Sequence, residues 1–335
     1  MKIIVPMAGM GKRMRPHTLT IPKPLIPVAG KPIVQHLVED ITKVCHEKVD
    51  EIAFVIGDFG KEVEMNLIKI AEEQGAKGTI YYQDEPLGTA HAILCAADSL
   101  TGKVVIAFAD TLFKTEMIAD TANSDGIIWV SKIDDPRMFG VVKLDGSGVI
   151  TDFVEKPQTF VSDLAIIGIY YIKDGDNLKK ELQYLIDNDI RDKGEYQLTN
   201  ALENMKLKGK KLSAATVEEW LDCGNKDATV YTNKRMLEIK KGASSNHTAA
   251  ANVKNSTIIQ PCFIGEDVKI ENSVVGPYVS IGKGSQILNA VIRNSIVQSN
   301  TIIQANCIDN SMIGNYVKLQ GKMNEFSMGD YTTEQ

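Results

Sequence analysis

The pattern of hydrophobic and polar positions divides the chain into three regions. In the first 110 residues, short apolar runs alternate with segments whose apolar residues recur at helical spacing. The predicted strands are KIIVPM (2–7), EIAFVIG (51–57), TIYYQ (79–83) and KVVIAFAD (103–110), and the predicted helices between them are 32–45, 61–75 and 88–100. This alternation indicates right-handed βαβ units around a mostly parallel sheet. Ligands of such sheets bind beyond the carboxyl ends of the strands, where Gly9 and Asp110 fall.

The second region, from residue 126 onward, is richer in strands. Apolar, alternating segments from 126 to 172 predict strands, and helical spacing returns near 176–208. The segments LSAATV and EEWLDCGN follow, and KDATVYTNKRMLEIKKG then predicts a helix that leaves the first domain.

The third region, residues 252–321, carries a short repeat. Apolar residues recur every five or six positions at Ile264, Ile270, Val275, Ile281, Ile287, Ile292, Val297, Ile303, Ile308 and Ile313. This period fits neither an α-helix nor a hairpin sheet, but it fits a chain that turns a corner about every six residues. The hexapeptide pattern resembles the left-handed parallel β-helix. A stack of short antiparallel strands is the alternative, and it needs more Asn-Gly or Pro-Gly turns than the segment has.

The boundaries follow from these changes of pattern. We predict a first domain over 1–235, a linker of small and polar residues over 236–251, a β-helix over 252–321 and a flexible polar tail over 322–335.

Composition and charge exclude several classes of partner. The net charge of −6 disfavours attraction to nucleic acid or to an anionic membrane, and the chain has no apolar run of 18 residues. The five cysteines are odd in number and widely separated, which indicates reduced thiols rather than a disulfide framework or a zinc site. We therefore expect a cytoplasmic protein.

The amino-terminal segment departs from this acidic balance. Between Met1 and Val38 it has six basic residues and no Asp or Glu; the first acid is Glu39. A local concentration of positive charge in an acidic protein favours a small polyanion as the ligand.

The basic loop GMGKRMRP (9–16) offers backbone N–H groups and an Arg to phosphates. A dinucleotide-binding fingerprint would need a third glycine where Met14 stands and an acid nearer than Glu39. A Walker P-loop would need Gly-Lys followed by Ser or Thr, which does not occur in the chain. A solvated basic loop without a ligand is the remaining alternative.

The longer string over residues 9–32, G-x-G-K-R-M-R-P-x-T-x-x-x-P-K-P-L-x-P-V-x-G-K-P, resembles the signature of the sugar-1-phosphate nucleotidylyltransferases, such as glucose-1-phosphate thymidylyltransferase and uridylyltransferase. These enzymes join a nucleoside triphosphate to a sugar 1-phosphate and release pyrophosphate. The resemblance covers about residues 1–235 and implies a Rossmann-like α/β nucleotidyltransferase domain. Lys12 departs from the signature, which often has Ser or Thr there.

Further segments extend the resemblance and imply site residues. YYQDEPLGTAHAI is similar to the base-binding segment, VVIAFAD to the first metal-binding segment, FVEKP to the E-K-P motif, and WLDCG to the W-x-D-x-G motif. FG (139–140) and IIGIY (166–170) match segments of the sugar pocket. The implied nucleotide-binding residues are Ala8, Gly9, Gly11, Arg13, Lys23, Gln83, Pro86, Gly88, Thr89 and Asp110. The implied sugar-phosphate-binding residues are Gly140, Glu155, Lys156 and Gly168.

The resemblance also implies roles for the charged residues. Arg13, Lys23 and Lys156 would act in catalysis by holding phosphates, and Asp110 and Asp222 would bind Mg²⁺. Gln83 favours UTP or dTTP, because it can both donate to and accept from a pyrimidine, whereas relatives that take GTP often have Glu there. The expected acceptor is glucose 1-phosphate.

Three alternatives stay open. The chain could be a mannose-1-phosphate guanylyltransferase, or an inactive regulatory subunit of the same fold, although Arg13, Lys23, Asp110, Lys156 and Asp222 are all present. It could also carry an acyltransferase on the β-helix, but such sites commonly use a histidine base, and no histidine follows His247. We expect a structural, oligomerising or allosteric role for the β-helix and a homo-oligomer.

Overall fold

A computed structural model describes residues 1–45, 47–115, 123–240, 252–322 and 325–333. The chain forms two compact units. The first comprises Met1–Ile26 and Lys31–Gly224, and the second comprises Pro27–Gly30 and Asn225–Gln335. The predicted domain boundaries stay a prediction, and 241–251 of the predicted linker lie outside the described residues.

The regular elements up to residue 239 are the following. The strands are β1 (Lys2–Pro6), β2 (Pro27–Val28), β3 (Lys31–Pro32), β4 (Glu51–Ile56), β5 (Lys77–Tyr82), β6 (Val104–Ala107), β7 (Thr111–Lys114), β8 (Gly126–Lys132), β9 (Gly140–Leu144), β10 (Ile150–Glu155), β11 (Leu164–Ile172), β12 (Leu212–Thr216) and β13 (Glu219–Asp222). The helices are α1 (Ile33–Val44), α2 (Lys61–Glu73), α3 (Thr89–Cys95), α4 (Gly175–Asp187), α5 (Leu198–Leu207) and α6 (Lys226–Ile239). Short 3-10 helices span Lys12–Met14, His17–Leu19, Lys23–Leu25 and Pro136–Met138.

The first unit is built on a mixed, mostly parallel sheet, as the alternating pattern predicts. Its strand order is β10-β9-β11-β6-β1-β4-β5, with β8 paired to β11 and β12 paired to β8. Strands β6, β1, β4 and β5 are mutually parallel, whereas β11 runs antiparallel to β6. Ile3, Ile4 and Val5 of β1 are fully buried, as expected for a central strand covered on both faces. No helix in the described ranges is long and apolar enough to cross a membrane.

Several predicted elements differ from the observed ones. The predicted helix 88–100 ends at Cys95, and the helical region 176–208 divides into α4 and α5. The chain between α4 and α5 has left-handed backbone conformations at Asp189, Lys193 and Gly194, which interrupt helical geometry. Strand β7 is absent from the prediction, although its position decides the geometry of the site described below.

The second unit contains the predicted left-handed parallel β-helix. Its strands are β14 (Asn252–Lys254), β15 (Thr257–Ile258), β16 (Cys262–Ile264), β17 (Lys269–Glu271), β18 (Val274–Val275), β19 (Val279–Ile281), β20 (Gln286–Leu288), β21 (Val291–Ile292), β22 (Ser295–Val297), β23 (Ile302–Gln304), β24 (Cys307–Ile308), β25 (Met312–Ile313) and β26 (Lys318–Gln320). They stack in three sheets, ordered β14-β17-β20-β23-β26, β15-β18-β21-β24 and β16-β19-β22-β25. All of these pairs are parallel, so the antiparallel alternative is wrong.

The spacing of the repeat determines which side chains enter the β-helix core. Ile270, Val275 and Ile281 are fully buried. Consider the residue four places after a core position. If the next core position is six residues away, this residue lies two places before it and also points inward, because side chains two apart on a strand share a face. If the next core position is five residues away, this residue lies one place before it and points outward, which explains the partial exposure of Val274 and Val291.

Candidate active site

The glycine-rich loop after β1 is organised around Gly11. This residue has φ +57°, the left-handed conformation that glycine adopts without strain, and it begins the 3-10 helix Lys12–Met14. A Cβ on Gly11 would lie 3.0 Å from both Lys23 Cβ and Thr18 Cγ2. The Thr18 hydroxyl donates to the Gly11 carbonyl at 2.8 Å. Gly11 therefore allows the two halves of the basic loop to approach each other.

A cavity of about 420 Å³ lies at the carboxyl ends of β1 and β6. Its lining includes every residue that the sequence predicts for nucleotide binding: Ala8, Gly9, Gly11, Arg13, Lys23, Gln83, Pro86, Gly88, Thr89 and Asp110. Residues as far apart in the chain as Ala8 and Asp110 thus surround one space. The volume suits a small ligand rather than a polymer.

Lys23 and Asp110 form an ion pair at this cavity. Lys23 is only 7% exposed, and its Nζ donates to Asp110 Oδ2 at 2.8 Å. The Asp110 side chain is 42% exposed and lines the cavity. The pair holds the buried ammonium group in place before any ligand binds.

Asp222 is brought beside Asp110 by the pairing of β13 with β7, in which Asp222 lies opposite Thr111. The Cys223 N–H donates to the Asp110 carbonyl at 3.0 Å, and the Gly224 N–H donates to Asp222 Oδ1 at 3.0 Å. A Cβ on Gly224 would lie 2.8 Å from Asp222 and 3.3 Å from the Arg13 guanidinium. Glycine at position 224 therefore leaves room for the Asp222 carboxylate and the Arg13 guanidinium to lie close together.

The electrostatics of Asp222 fit a divalent cation. Burial, and next the negative charge of Asp110, raise the pKa of the Asp222 carboxyl, while the Gly224 N–H, Lys23 and Arg13 act in the opposite direction. Two neighbouring carboxylates that repel each other suit Mg²⁺, which takes few protein ligands and completes its shell with water and phosphate oxygens. Within the described ranges, no group of three or more His, Cys, Asp or Glu residues could hold a metal ion. Water and phosphate oxygens would therefore complete the ligand shell of an ion bound by the two aspartates.

The predicted sugar-phosphate residues do not line the cavity. Glu155 and Lys156 form an ion pair at 3.6 Å, and a Cβ on Gly140 would lie 3.0 Å from Glu155 Oε2. Gly168 accepts from the N–H of Phe108 at 3.0 Å, and Phe108 does line the cavity. Gly140, Glu155 and Lys156 thus form a second group, and Gly168 supports the cavity wall from behind.

The segment between α4 and α5 contains residues near the site that the sequence patterns do not predict. Lys193 Nζ donates to the Lys156 carbonyl at 3.0 Å, and Glu195 lines the cavity. One short segment therefore contacts both groups of predicted residues. The only signal in the sequence is a charged pair around a glycine, KGE, inside a stretch whose helical spacing indicated a continuous helix.

Gln83, the residue predicted to bind the base, is oriented by its neighbours. Its Nε2 donates to the Gly88 carbonyl at 3.3 Å and lies 3.1 Å from His91 Nδ1 on α3. The side chain is therefore tied to the turn that carries Gly88 rather than extended into solvent.

Gly88→Ala is expected to destabilise the protein more than Gly75→Ala. Both glycines have positive φ, so each alanine incurs a backbone cost of about 1–3 kcal/mol. A Cβ at Gly88 would also lie 2.5 Å from the Tyr196 carbonyl oxygen, whereas nothing lies within 4 Å at Gly75. Thermal unfolding of the two variants measures the difference; equal melting temperatures would contradict the close packing of the 88 and 196 segments.

Comparison with known proteins gives the family. The model of the family described as nucleotidyl transferase matches residues 2–239. The chain is 28% identical over 359 residues to glucose-1-phosphate thymidylyltransferase of Streptomyces antibioticus, covering 99% of this chain and 98% of that one. It is also 28% identical to a mannose-1-phosphate guanylyltransferase of Oryza sativa, covering 94% and 86%.

The fold has a solved counterpart as well. A Bacillus anthracis chain described as a glucose-1-phosphate thymidylyltransferase superposes with a TM-score of 0.58 over 69% of this chain and 93% of that one, at 23% identity. Together with the family match over residues 2–239, which include the cavity and both aspartates, these findings show that the chain belongs to the nucleotidyl transferase family.

Proposed function

We propose that the protein transfers a nucleoside monophosphate from UTP or dTTP to a sugar 1-phosphate, with glucose 1-phosphate as the expected acceptor, in a Mg²⁺-dependent reaction that releases pyrophosphate. The observation that carries the proposal is the cavity, where the basic loop, the base-binding segment and Asp110 share one lining. The Streptomyces and Oryza relatives both bear names of enzymes that use a sugar 1-phosphate, which supports this class of acceptor.

The proposed reaction needs positioning more than activation of a nucleophile. A phosphate oxygen of the sugar 1-phosphate attacks the α-phosphorus of the triphosphate in line, a new P–O bond forms, and the bond to the β-phosphate breaks. Pyrophosphate leaves with the electron pair of that bond. Because the attacking oxygen is already anionic, no Ser, Cys or His is required, and the main barrier is the approach of two anions.

The basic residues would lower that barrier. Lys23, held by Asp110, and Arg13, close to Gly224, offer positive charge to the triphosphate at the cavity. Lys156, on the turn that Lys193 contacts, would hold the sugar phosphate. When bound between Asp110 and Asp222, Mg²⁺ would supply charge neutralisation at the α-phosphate and the departing pyrophosphate.

A guanylyltransferase that uses mannose 1-phosphate is the second candidate. The Oryza relative is as similar in identity as the Streptomyces one, so identity alone does not separate the two. Gln83 favours the pyrimidine nucleotide, because its amide can both donate and accept.

A matrix of substrates tests the proposal. UTP, dTTP, GTP, CTP and ATP are each combined with glucose, mannose, galactose and N-acetylglucosamine 1-phosphates, and pyrophosphate release is followed with and without Mg²⁺. We expect release with UTP or dTTP and glucose 1-phosphate only when Mg²⁺ is present. Pyrophosphate release with GTP and mannose 1-phosphate would favour the second candidate. No pyrophosphate release with any pair of substrates would favour an inactive regulatory subunit.

Gln83→Glu is expected to lower kcat/KM for UTP and dTTP by roughly ten- to a hundred-fold. The carboxylate cannot donate a hydrogen bond, and it would face the Gly88 carbonyl that the Gln83 amide now contacts. Steady-state kinetics with each nucleotide measures the effect. Gln74→Glu, at the end of α2 and outside the cavity lining, is the matched control, and an equal loss in that variant would contradict a role of Gln83 in base binding.

A further inference from the structure

A four-residue piece of the amino-terminal sequence folds with the β-helix. Pro27–Gly30 belongs to the second compact unit together with Asn225–Gln335, although it lies within the first 30 residues. Lys23, whose Nζ is paired to Asp110, lies only four residues before this piece. Whatever holds Pro27–Gly30 therefore restrains one end of the loop that carries Lys23.

One outer face of the β-helix is covered, and another is not. On the sheet β16-β19-β22-β25, the outward residues Phe263, Ser280, Ile296 and Met312 lie in register. Ser280 is 4% and Ile296 1% exposed. The corresponding outward residues of the sheet β15-β18-β21-β24 include Val274 and Val291, at 36% and 43%. We call Phe263, Ser280, Ile296 and Met312 the covered column. Helix α6 contacts β2, β19 and β22, which accounts for the burial of this column.

Asn233 of α6 joins this face to the Pro27–Gly30 piece. The side chain is fully buried, and its Oδ1 accepts from the Ala29 N–H at 2.9 Å and from the Ser280 hydroxyl at 2.7 Å. Its Nδ2 donates to the Tyr278 carbonyl at 3.3 Å. The Asn233 amide thus forms hydrogen bonds with the turn at Ala29 and with two residues of the β-helix. If these partners were lost, the buried amide would have no hydrogen bonds, which is energetically unfavourable.

Gly30 adds a second point of attachment. Its φ is +87°, and a Cβ there would overlap the Phe263 ring, so the turn lies flat against the first residue of the covered column. The turn at 29–30 is therefore fixed both by a hydrogen bond to Asn233 and by steric contact with Phe263.

We infer that Asn233 is a positioning residue for the transfer reaction: with Ser280 it anchors Pro27–Gly30 to the β-helix and so fixes the end of the loop that presents Lys23. The inference rests on the proposed function for its kinetic consequence only; the anchoring stands on the hydrogen bonds. On this inference, the function of the β-helix is to hold the turn next to the Lys23 loop. Loss of the anchor would let the Lys23 ammonium move away from its position, and a misplaced phosphate-binding group contributes much less to the reaction rate.

Hydrogen–deuterium exchange and steady-state kinetics of the full chain test the inference together. The variants are Asn233→Ala, Ser280→Ala and Ser280→Thr, which keeps a hydroxyl. Ser285→Ala is the matched control: Ser285 is also a buried β-helix serine, but it donates to the Gln298 carbonyl instead of Asn233. The exchange rate of peptides covering 24–31 measures whether the anchor is intact, and the exchange rate of peptides covering β1 serves as the internal reference.

We expect faster exchange in 24–31, and a KM for the nucleoside triphosphate raised roughly three- to ten-fold, in Asn233→Ala and Ser280→Ala. The KM for the sugar 1-phosphate should stay unchanged, and Ser280→Thr should restore both readouts. If Asn233→Ala does not fold, the Ser280 pair decides the question. Wild-type exchange and KM in Ser280→Ala, or an equal change in Ser285→Ala, would overturn the inference. A wild-type protein without transfer activity would refute the proposed function alone, and the exchange data would then decide on the anchor.

Discussion

Replacing Asp110 with Asn is expected to lower turnover by roughly two to three orders of magnitude and to shift the remaining activity to higher Mg²⁺ concentration. The amide keeps the size of the side chain but removes one of two neighbouring negative charges. Burial, and next the charge of Asp110, raise the pKa of the Asp222 carboxyl. The amide also removes the charge that holds the buried Lys23. A titration of initial rate against Mg²⁺ at saturating substrates measures both effects.

Asp187→Asn is the control for the loss of a negative charge. Asp187 is exposed at the end of α4 and accepts a hydrogen bond from Gln183, outside the cavity lining. Its titration should follow the wild type. Melting temperatures of both variants separate loss of turnover from loss of folding. A fully active Asp110→Asn protein with an unchanged Mg²⁺ requirement would exclude Asp110 as a metal ligand.

Arg13→Ala is expected to reduce kcat/KM for the nucleotide by roughly a hundred-fold or more. The planar guanidinium can bind two phosphate oxygens at once, and it lies near Gly224, beside Asp222. Lys12 is adjacent, carries the same positive charge and also lines the cavity. Lys12→Ala removes the same charge and should cost less than about ten-fold, because an ammonium group is a point charge and lacks the planar fork with which the guanidinium can bind two phosphate oxygens.

The comparison of Arg13 with Lys12 also distinguishes geometry from net charge. If both alanine variants lose the same factor, and if added salt abolishes the difference from the wild type in both, the loop acts only as a region of positive potential. A loss confined to Arg13 that persists in salt indicates direct contact with the triphosphate. Rates measured at two ionic strengths provide the test.

Local patterns in the sequence predicted most of the fold because those patterns report burial directly. Strands such as β1 read as continuous apolar runs since both faces are covered, and the five- and six-residue steps of the β-helix give its core positions. Helix ends were less predictable. Cys95 and the 188–197 segment end helical geometry through turns and left-handed backbone that apolar spacing does not encode.

The clustering of the residues proposed to bind the nucleotide was predictable for a different reason. The glycines and basic residues of one continuous stretch, together with the Gln83 segment, form an ordered string, and the structure brings these residues to one cavity. Long-range pairing was not predictable. The β7–β13 ladder that places Asp222 beside Asp110, the contact of Lys193 with the Lys156 turn, and the union of Pro27–Gly30 with the β-helix all join distant parts of the chain.

The most direct test of the central claim follows the fate of the α-phosphorus. The protein is incubated with Mg²⁺, glucose 1-phosphate and dTTP or UTP labelled at the α-phosphate, and the products are separated. The proposal predicts that the label appears in a nucleoside diphosphate sugar whose second phosphate comes from glucose 1-phosphate, while pyrophosphate is unlabelled. Label in free nucleoside monophosphate, or nucleotide left intact beside an unchanged sugar phosphate, would contradict it.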